Sequence, residues 1–443
     1  MRIPVIAIFD IGKTNKKLLL LNEQYKIVFE EQRSLEETTD EDGDACEDVD
    51  KLRSTVLQQL DQVLQHPDFD VKAINVAGYG ASFVHIDEKG NSAGPLYSYL
   101  KPYPETLHNR FYETYGGVEA FTHRTASPVL GSLNSGMQLY RIKYMQPELF
   151  ARIRYALHLP QYISYLFTGL PVSEMCSIGC HTNLWDFQHN SYHPWVAAEN
   201  ILEKMAPVFP ADYTTILKHD DRSIVAGIGL HDSSAALIPY LLNFQEPFIL
   251  ISTGTWCISM NPFNHSPLTT SELEQDCLNY ITYKGLPLKA SRLFAGHKHE
   301  IQIKRIAAHF KEDEAQYKHM EYDGSIITTL QAVPDNLDFS NRDLSYYQNS
   351  TIAYHHLVME LIAQQHISTS LVIGDTVVKR LFVDGGFAKN SIYMHLLALS
   401  FPDMEVFAAS VSHATAVGAA LAIHHAWNTK PVPTDLVELK YYA

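Results

Sequence analysis

The chain has 443 residues, 46% apolar and 19% charged, which excludes a disordered or fibrous protein. At roughly 100 to 200 residues per domain it predicts two domains, each burying its own core. Lys and Arg number 34 against 50 Asp and Glu, and this net charge of −16 repels phosphate backbones and anionic membranes at long range, so no nucleic acid and no membrane partner is expected.

The opening VIAIFDIGKTNKKLLLLNEQYKIVFEEQ holds three apolar runs joined by the polar turns GKTN and NEQ, which predicts a three-stranded antiparallel meander. It has neither a basic region nor a cleavage site, and no stretch nears the roughly 20 apolar residues of a membrane span, so a cytoplasmic protein is expected. The acidic run ETTDEDGDACEDVD lacks the placed glycine and terminal glutamate of a calcium loop and reads as a solvated loop. From DKLRSTVLQQLDQVLQH the apolar spacing becomes three and four, the mark of a helix, and AINVAGYGASFVHIDEKGNSAG returns to strand, turn and strand. Residues 105–205 carry helical signals, among them PELFARIRYAL and PQYISYLFTG.

A second start follows at EPFILISTGTWCISMNP, again strand, glycine turn and strand, about 240 residues after the first. Two halves of similar α/β design are predicted, 1–242 and 243–443, with the boundary near Asn243. SPLTTSELEQD and VPDNLDFSNRDLSYYQNS read as surface loops. RLFVDGGFAKNSIYMHLLALSF reads as a buried strand, a double-glycine turn and a helix, and HATAVGAALAIHHAW as a helix whose small residues allow close packing. The five cysteines form no CxxC pair and are expected to be reduced and structural.

Four turns carry candidate chemistry. Asp10-Ile11-Gly12-Lys13-Thr14-Asn15 is not a Walker A loop, because Ala7 stands where that loop needs its first glycine. As a hairpin turn it offers amides, the Thr14 hydroxyl and the charges of Lys13 and Lys17 to a phosphate, with Asp10 a carboxylate fit for Mg²⁺; an ordinary hairpin is the equal alternative. Ser252-Thr253-Gly254-Thr255 lies in the corresponding turn of the second half, so the two turns would clamp one polyphosphate. In Asp384-Gly385-Gly386-Phe387-Ala388-Lys389-Asn390 a strand ends in two glycines before a helix, which reads either as a plain strand-to-helix turn or as free amides at a helix start that a nucleotide approaches. In Gly229-Leu230-His231-Asp232, Asp232 is either a helix cap or the base that takes a proton from an acceptor hydroxyl. His297, His299 and Glu300, His355 with His356, and His424 with His425 lack the spacing of a metal site.

On DIGKTNKK, STGTW, VDGGFAKN and HATAVGAA, in this order and nearly end to end, the chain resembles the FGGY carbohydrate kinases of the actin-like ATPase superfamily. LPQYISYLFTG, SEMCSIGCHTNLWD and GLHDSSAA resemble the rhamnulokinase branch of that family. The resemblance implies two ribonuclease-H-like domains with ATP and a sugar in a central cleft. It implies Asp232 as general base, Asp10 as the Mg²⁺ residue, and Gly12, Lys13, Thr14, Asn15, Lys17, Gly254 and Thr255 by the phosphates. Gly385, Gly386 and Asn390 would meet the nucleotide, and Gly80, Ser82, Gln161 and His231 the sugar. GYGASF, Gln161, YSYLKPY and ASRLFAGHKHEIQIKR depart from the family pattern. A 6-deoxy-ketohexose phosphorylated on its 1-hydroxyl is expected, with L-fuculose, a pentulose, or a non-catalytic sensor on the same fold as alternatives. A monomer or homodimer is expected.

Overall fold

A computed structural model describes residues 2–331 and 338–443. The three opening runs form β1 (Ile3–Ile11), β2 (Lys16–Asn22) and β3 (Ile27–Arg33), antiparallel as predicted. β1 and β2 are apolar on both faces because both faces of this sheet are covered. Helix α1 (Val49–Gln65), capped by the Asp48 carboxylate on the Lys51 amide, carries the chain to β4 (Phe69–Gly78), parallel to β1. A helical insertion follows, including α2 (Ser135–Met145) and α3 (Leu159–Thr168). Phe83–Ile86 pairs there with Tyr155–His158, outside the main sheet. The chain then returns as β5 (Thr214–His219) and β6 (Arg222–Gly227), giving the sheet order β5-β6-β4-β1-β2-β3.

Helix α4 (Asp232–Asn243) leads to the second lobe. The second sheet is built from β7 (Phe248–Thr253), β8 (Cys257–Asn261), β9 (Cys277–Ile281), β10 (Pro287–Leu293), β11 (Arg380–Gly385), β12 (Glu405–Ser410) and β13 (Glu438–Tyr442). Its order is β9-β10-β8-β7-β11-β12-β13. In each sheet the first strand pairs antiparallel with the second and parallel with a later one, β1 with β2 and β4, β7 with β8 and β11. The architecture is α/β, the same ribonuclease-H-like design used twice.

The expectation of two independent cores needs correction. The outer layers are separate, one under α1 and α3 and one under α5 (Ser350–Ile373). Between the sheets lies a single shared core. It joins Ile6, Ile8 and Leu19 of the first lobe to Leu250 and Phe382 of the second through α4 and α6 (Ala414–Ala422). The small residues of α6 allow this: a Cβ on Gly418 would sit 1.8 Å from the Ala235 carbonyl oxygen.

Three loop expectations also change. SPLTTSELEQD contains the helical turn Thr270–Glu274, closed by a reciprocal capping box of Thr269 and Glu272 over buried Leu273. Of VPDNLDFSNRDLSYYQNS, 333–337 lie outside the described residues, and the rest forms two short turns that bury Phe339 and Leu344 in the second lobe's core. The acidic run is not simply solvated. The ammonium of Lys101, itself buried, lies 2.7, 2.9 and 2.6 Å from Asp40, Asp42 and Asp44, and holds the Asp40 carboxyl below its usual range despite burial. This trio is the metal-sized carboxylate group among the described residues, and a lysine fills its centre.

Candidate active site

Parallel strands carry Asp10 and His231-Asp232 to one end of the first sheet. On β4, Ala77 pairs with Asp10, and Gly78 pairs with both Ile11 and His231. Crevices beyond the carboxyl ends of parallel strands are where α/β proteins bind ligands. Burial, the negative charge of Asp232 and, in opposition, Lys17 set the Asp10 carboxyl at about 7. Burial raises Asp232 to about 6, against two lowering hydrogen bonds from the Ser233 amide, at 2.6 Å, and its hydroxyl, at 3.2 Å. Its side chain nevertheless keeps 32% of its surface open. His231, not Asp232, holds the cap position of α4, and no side chain caps that helix.

The His231 imidazole lies 3.2 Å from Asp232 Oδ1 and 3.1 Å from Cys180 Sγ, with Nδ1 3.3 Å from Ser234 Oγ. Ser234 in turn donates to the Ile281 carbonyl of the second lobe at 3.1 Å. Burial lowers His231 to about 4, so it is neutral at pH 7 and leaves Asp232 without a salt partner. Gly80 presses against both neighbours: a Cβ there would meet Cys180 Sγ at 2.9 Å and His231 Nε2 at 3.0 Å. Ser82 and Gln161 are buried, and the Gln161 amide donates to the Gly229 carbonyl at 2.8 Å, bracing the turn before His231.

In the first hairpin, the Gly12 amide bonds the Asn15 carbonyl at 2.9 Å and Thr14 is exposed. Asn15 Oδ1 accepts from Gln32 at 2.9 Å and Ser34 at 3.2 Å. Lys13 lies 2.6 Å from Glu37 and 3.6 Å from Glu47, and Lys17 lies 3.5 Å from Glu30. Lys16 was not among the sequence candidates. It is buried, 2.8 Å from Glu47, and donates to the Lys13 carbonyl at 2.9 Å, so it fixes the hairpin from below. Strand alternation between Lys16 and Lys17 is the signal that separates an inward from a cleft-side lysine.

The second hairpin is stitched to the double glycine. The Thr253 carbonyl accepts from the Gly386 amide at 3.1 Å, and its hydroxyl accepts from the Phe387 amide at 3.0 Å. Two amides expected to be free at this turn are therefore already bonded, and the following helix starts only at Ser391. Gly385 is required there, with φ +92° and a Cβ position 1.9 Å from the Thr253 carbonyl oxygen. Asn390 caps the helix on the Tyr393 amide at 3.0 Å and donates to the Tyr354 hydroxyl at 2.6 Å. Gly254, Gly296, His299, Tyr354, Gly386 and Asn390 line one cavity of about 530 Å³. The Thr255 carbonyl accepts from the His297 amide at 3.1 Å. Gly385 and Gly386 also line a neighbouring cavity with His413, whose ring lies 3.4 Å from Glu30 on the first lobe, the same carboxylate that Lys17 approaches.

Two lobes of ribonuclease-H-like design, the first with Asp10 and Asp232 at the carboxyl end of its parallel strands and the second with a glycine-lined cavity, define an actin-like ATPase architecture. The chain belongs to the FGGY family of carbohydrate kinases: residues 5–216 match the family's N-terminal domain and residues 245–431 its C-terminal domain. A rhamnulokinase from Klebsiella pneumoniae (strain 342) is 25% identical over 234 residues, 50% of this chain and 46% of that protein. The chain thus spans about half the length of the curated relatives it matches. A carbohydrate kinase from Novosphingobium aromaticivorans superposes with a TM-score of 0.78 at 23% identity, over 98% of this chain and 96% of that one. Ligand-bound xylulose kinase from Lactobacillus acidophilus gives 0.80 at 14%, over 99% and 93%. Among the described residues, no helix is long and apolar enough to cross a membrane.

Proposed function

We propose that this protein transfers the γ-phosphoryl group of ATP to a hydroxyl of a ketose, best a 6-deoxy-ketohexose at its 1-hydroxyl. The observation that carries the reading is the Asp232 carboxylate, a third exposed, raised to about 6 and set beside a neutral imidazole. Asp232 accepts the acceptor hydroxyl's proton as the new O–P bond forms and the bond to the ADP oxygen breaks. The Gly12–Lys17 hairpin and the Gly254–Thr255 turn hold the phosphates, and Gly386 and Asn390 bound the nucleotide cavity.

The donor set at Asp10 suits Mg²⁺. Asp10 and Asp232 offer only oxygen, and each is pushed up by burial, with Asp10 pushed further by Asp232. That uncompensated charge is what a divalent cation relieves, and Asp10 would hold it directly or through water. Bound there, Mg²⁺ would neutralise charge on the phosphates.

Gly80, Cys180 and neutral His231 flank Asp232 with uncharged groups, which suits a neutral sugar. A pentulose is the second reading. It is favoured by the xylulose kinase superposition. A coupled ADP-release assay with L-rhamnulose, L-fuculose, L-ribulose and D-xylulose tests both readings. L-rhamnulose is expected to give the highest kcat/KM, and a best rate with D-xylulose or L-ribulose would move the assignment to a pentulose. Binding of sugar or ATP without ADP release on any of the four would instead make the protein a sensor.

A further inference from the structure

We propose that Arg292, from the second lobe, is an acceptor-binding residue that completes the sugar pocket across the crevice; this rests on the kinase reading above. Alternation along β10 puts Leu288, Ala290 and Arg292 on one face. Leu288 and Ala290, with Leu278 and Tyr280 of β9, belong to the shared core around α4, so Arg292 extends that same face toward the start of α4. The Tyr280 ring packs 5.6 Å from the His231 ring.

The arginine side chain is only 8% exposed. Its Nη2 donates to Asp276 Oδ1 at 2.5 Å, and the guanidinium carbon lies 5.2 Å from the centre of the Trp256 ring, next to the Gly254–Thr255 turn. Nε is buried and has no hydrogen-bond partner among the described residues. Its positive charge bears on Cys180, His181 and Tyr280, the groups around His231. An unmet donor on a buried guanidinium is costly, and an oxygen of a bound ligand would satisfy it.

The chemistry of that ligand follows from Asp276. Because one carboxylate already balances the guanidinium, the open edge calls for a neutral acceptor oxygen and not for a second carboxylate. A ketose offers its carbonyl oxygen beside the reacting hydroxyl. Gly80 and His231 would hold the sugar from one lobe and Arg292 from the other, so acceptor binding would draw the lobes together.

The test uses the full chain with saturating ATP. Arg292→Met is expected to raise KM for the preferred ketose by about 10- to 100-fold, the range for losing a hydrogen bond to a charged group, and to leave KM for ATP within about twofold. The sharper readout is the ratio of kcat/KM for that ketose to kcat/KM for the matching alditol, which lacks the carbonyl. The ratio is expected to be about 10 or more in the wild type, to collapse toward 1 in Arg292→Met, and to be partly restored in Arg292→Lys. An unchanged ratio in an active Arg292→Met, or a rise in KM for ATP alone, overturns the proposal and leaves the kinase reading standing. A wild type inactive on every ketose overturns both. If Arg292→Met loses its circular dichroism spectrum, Arg292→Gln carries the same ratio test.

Discussion

Asp232 holds a raised pKa and a solvent-facing surface together, and each has a consequence. As a base it works only when deprotonated, so kcat/KM is expected to rise with pH through about 6 and then level, measured as a pH–rate profile. Asp232→Asn is expected to lower kcat by about 10² to 10⁴ while ATP binding by calorimetry stays intact. The linkage sign gives a second expectation. Asp10 at about 7 and Asp232 at about 6 lie above the unfolded value of 3.8, so the native state takes these protons more readily. Their contribution to stability is greatest below about 4 and is lost as pH rises through 6 to 7. In the absence of metal, Asp232→Asn should therefore melt higher than the wild type at pH 7, with the gap closing toward pH 4. A variant less stable than the wild type at pH 7 would contradict the burial argument. Lys16 acts in the opposite sense: Lys16→Met removes the nearest charge from buried Glu47, leaving it the Tyr79 hydroxyl and the more distant Lys13, and should cost about 1 to 3 kcal/mol in urea unfolding.

At the scale of elements, two helices decide where the site stands. α4 carries Asp232, and α6 touches it backbone to side-chain-free backbone at Gly418. Gly418→Val must push the helices apart, and a loss of about 3 kcal/mol or more together with a fall in kcat is expected. Stability lost with kcat untouched would mean that α6 does not position Asp232. The hairpins and strands of both lobes were legible in the sequence because turn residues and apolar periods are local signals. The partner of the small-residue helix was not, since Gly418 and Ala235 lie far apart in the chain. The acidic run was misread for the same reason. Asp40 and Glu47 look solvated until Lys101 and Lys16 arrive from other segments. Lys101 thereby gives the divergent YSYLKPY stretch a structural role.

Over the whole molecule, the shared core between the sheets joins the lobes at their base, and a second set of contacts ties the insertion of the first lobe to the second, with His123 on Leu268 and Thr270 and apolar clusters around Leu268 and Ile281. Lobes joined in this way can still close on ligands by small hinge or shear movements. Small-angle scattering of Asp232→Asn with ATP, Mg²⁺ and ketose is expected to show a smaller radius of gyration than the ligand-free protein, and no change would place closure outside the catalytic cycle. The sequence by itself determined the duplicated α/β design, the glycine turns and Asp232, because each is written in neighbouring residues. Only the tertiary structure decided that the lobes share a core, that Thr253 already occupies the Gly386 and Phe387 amides, and that the Arg292 charge bears on Cys180 and His181 of the other lobe. Those facts depend on which distant segments exclude water together, and burial of that kind has no local signature.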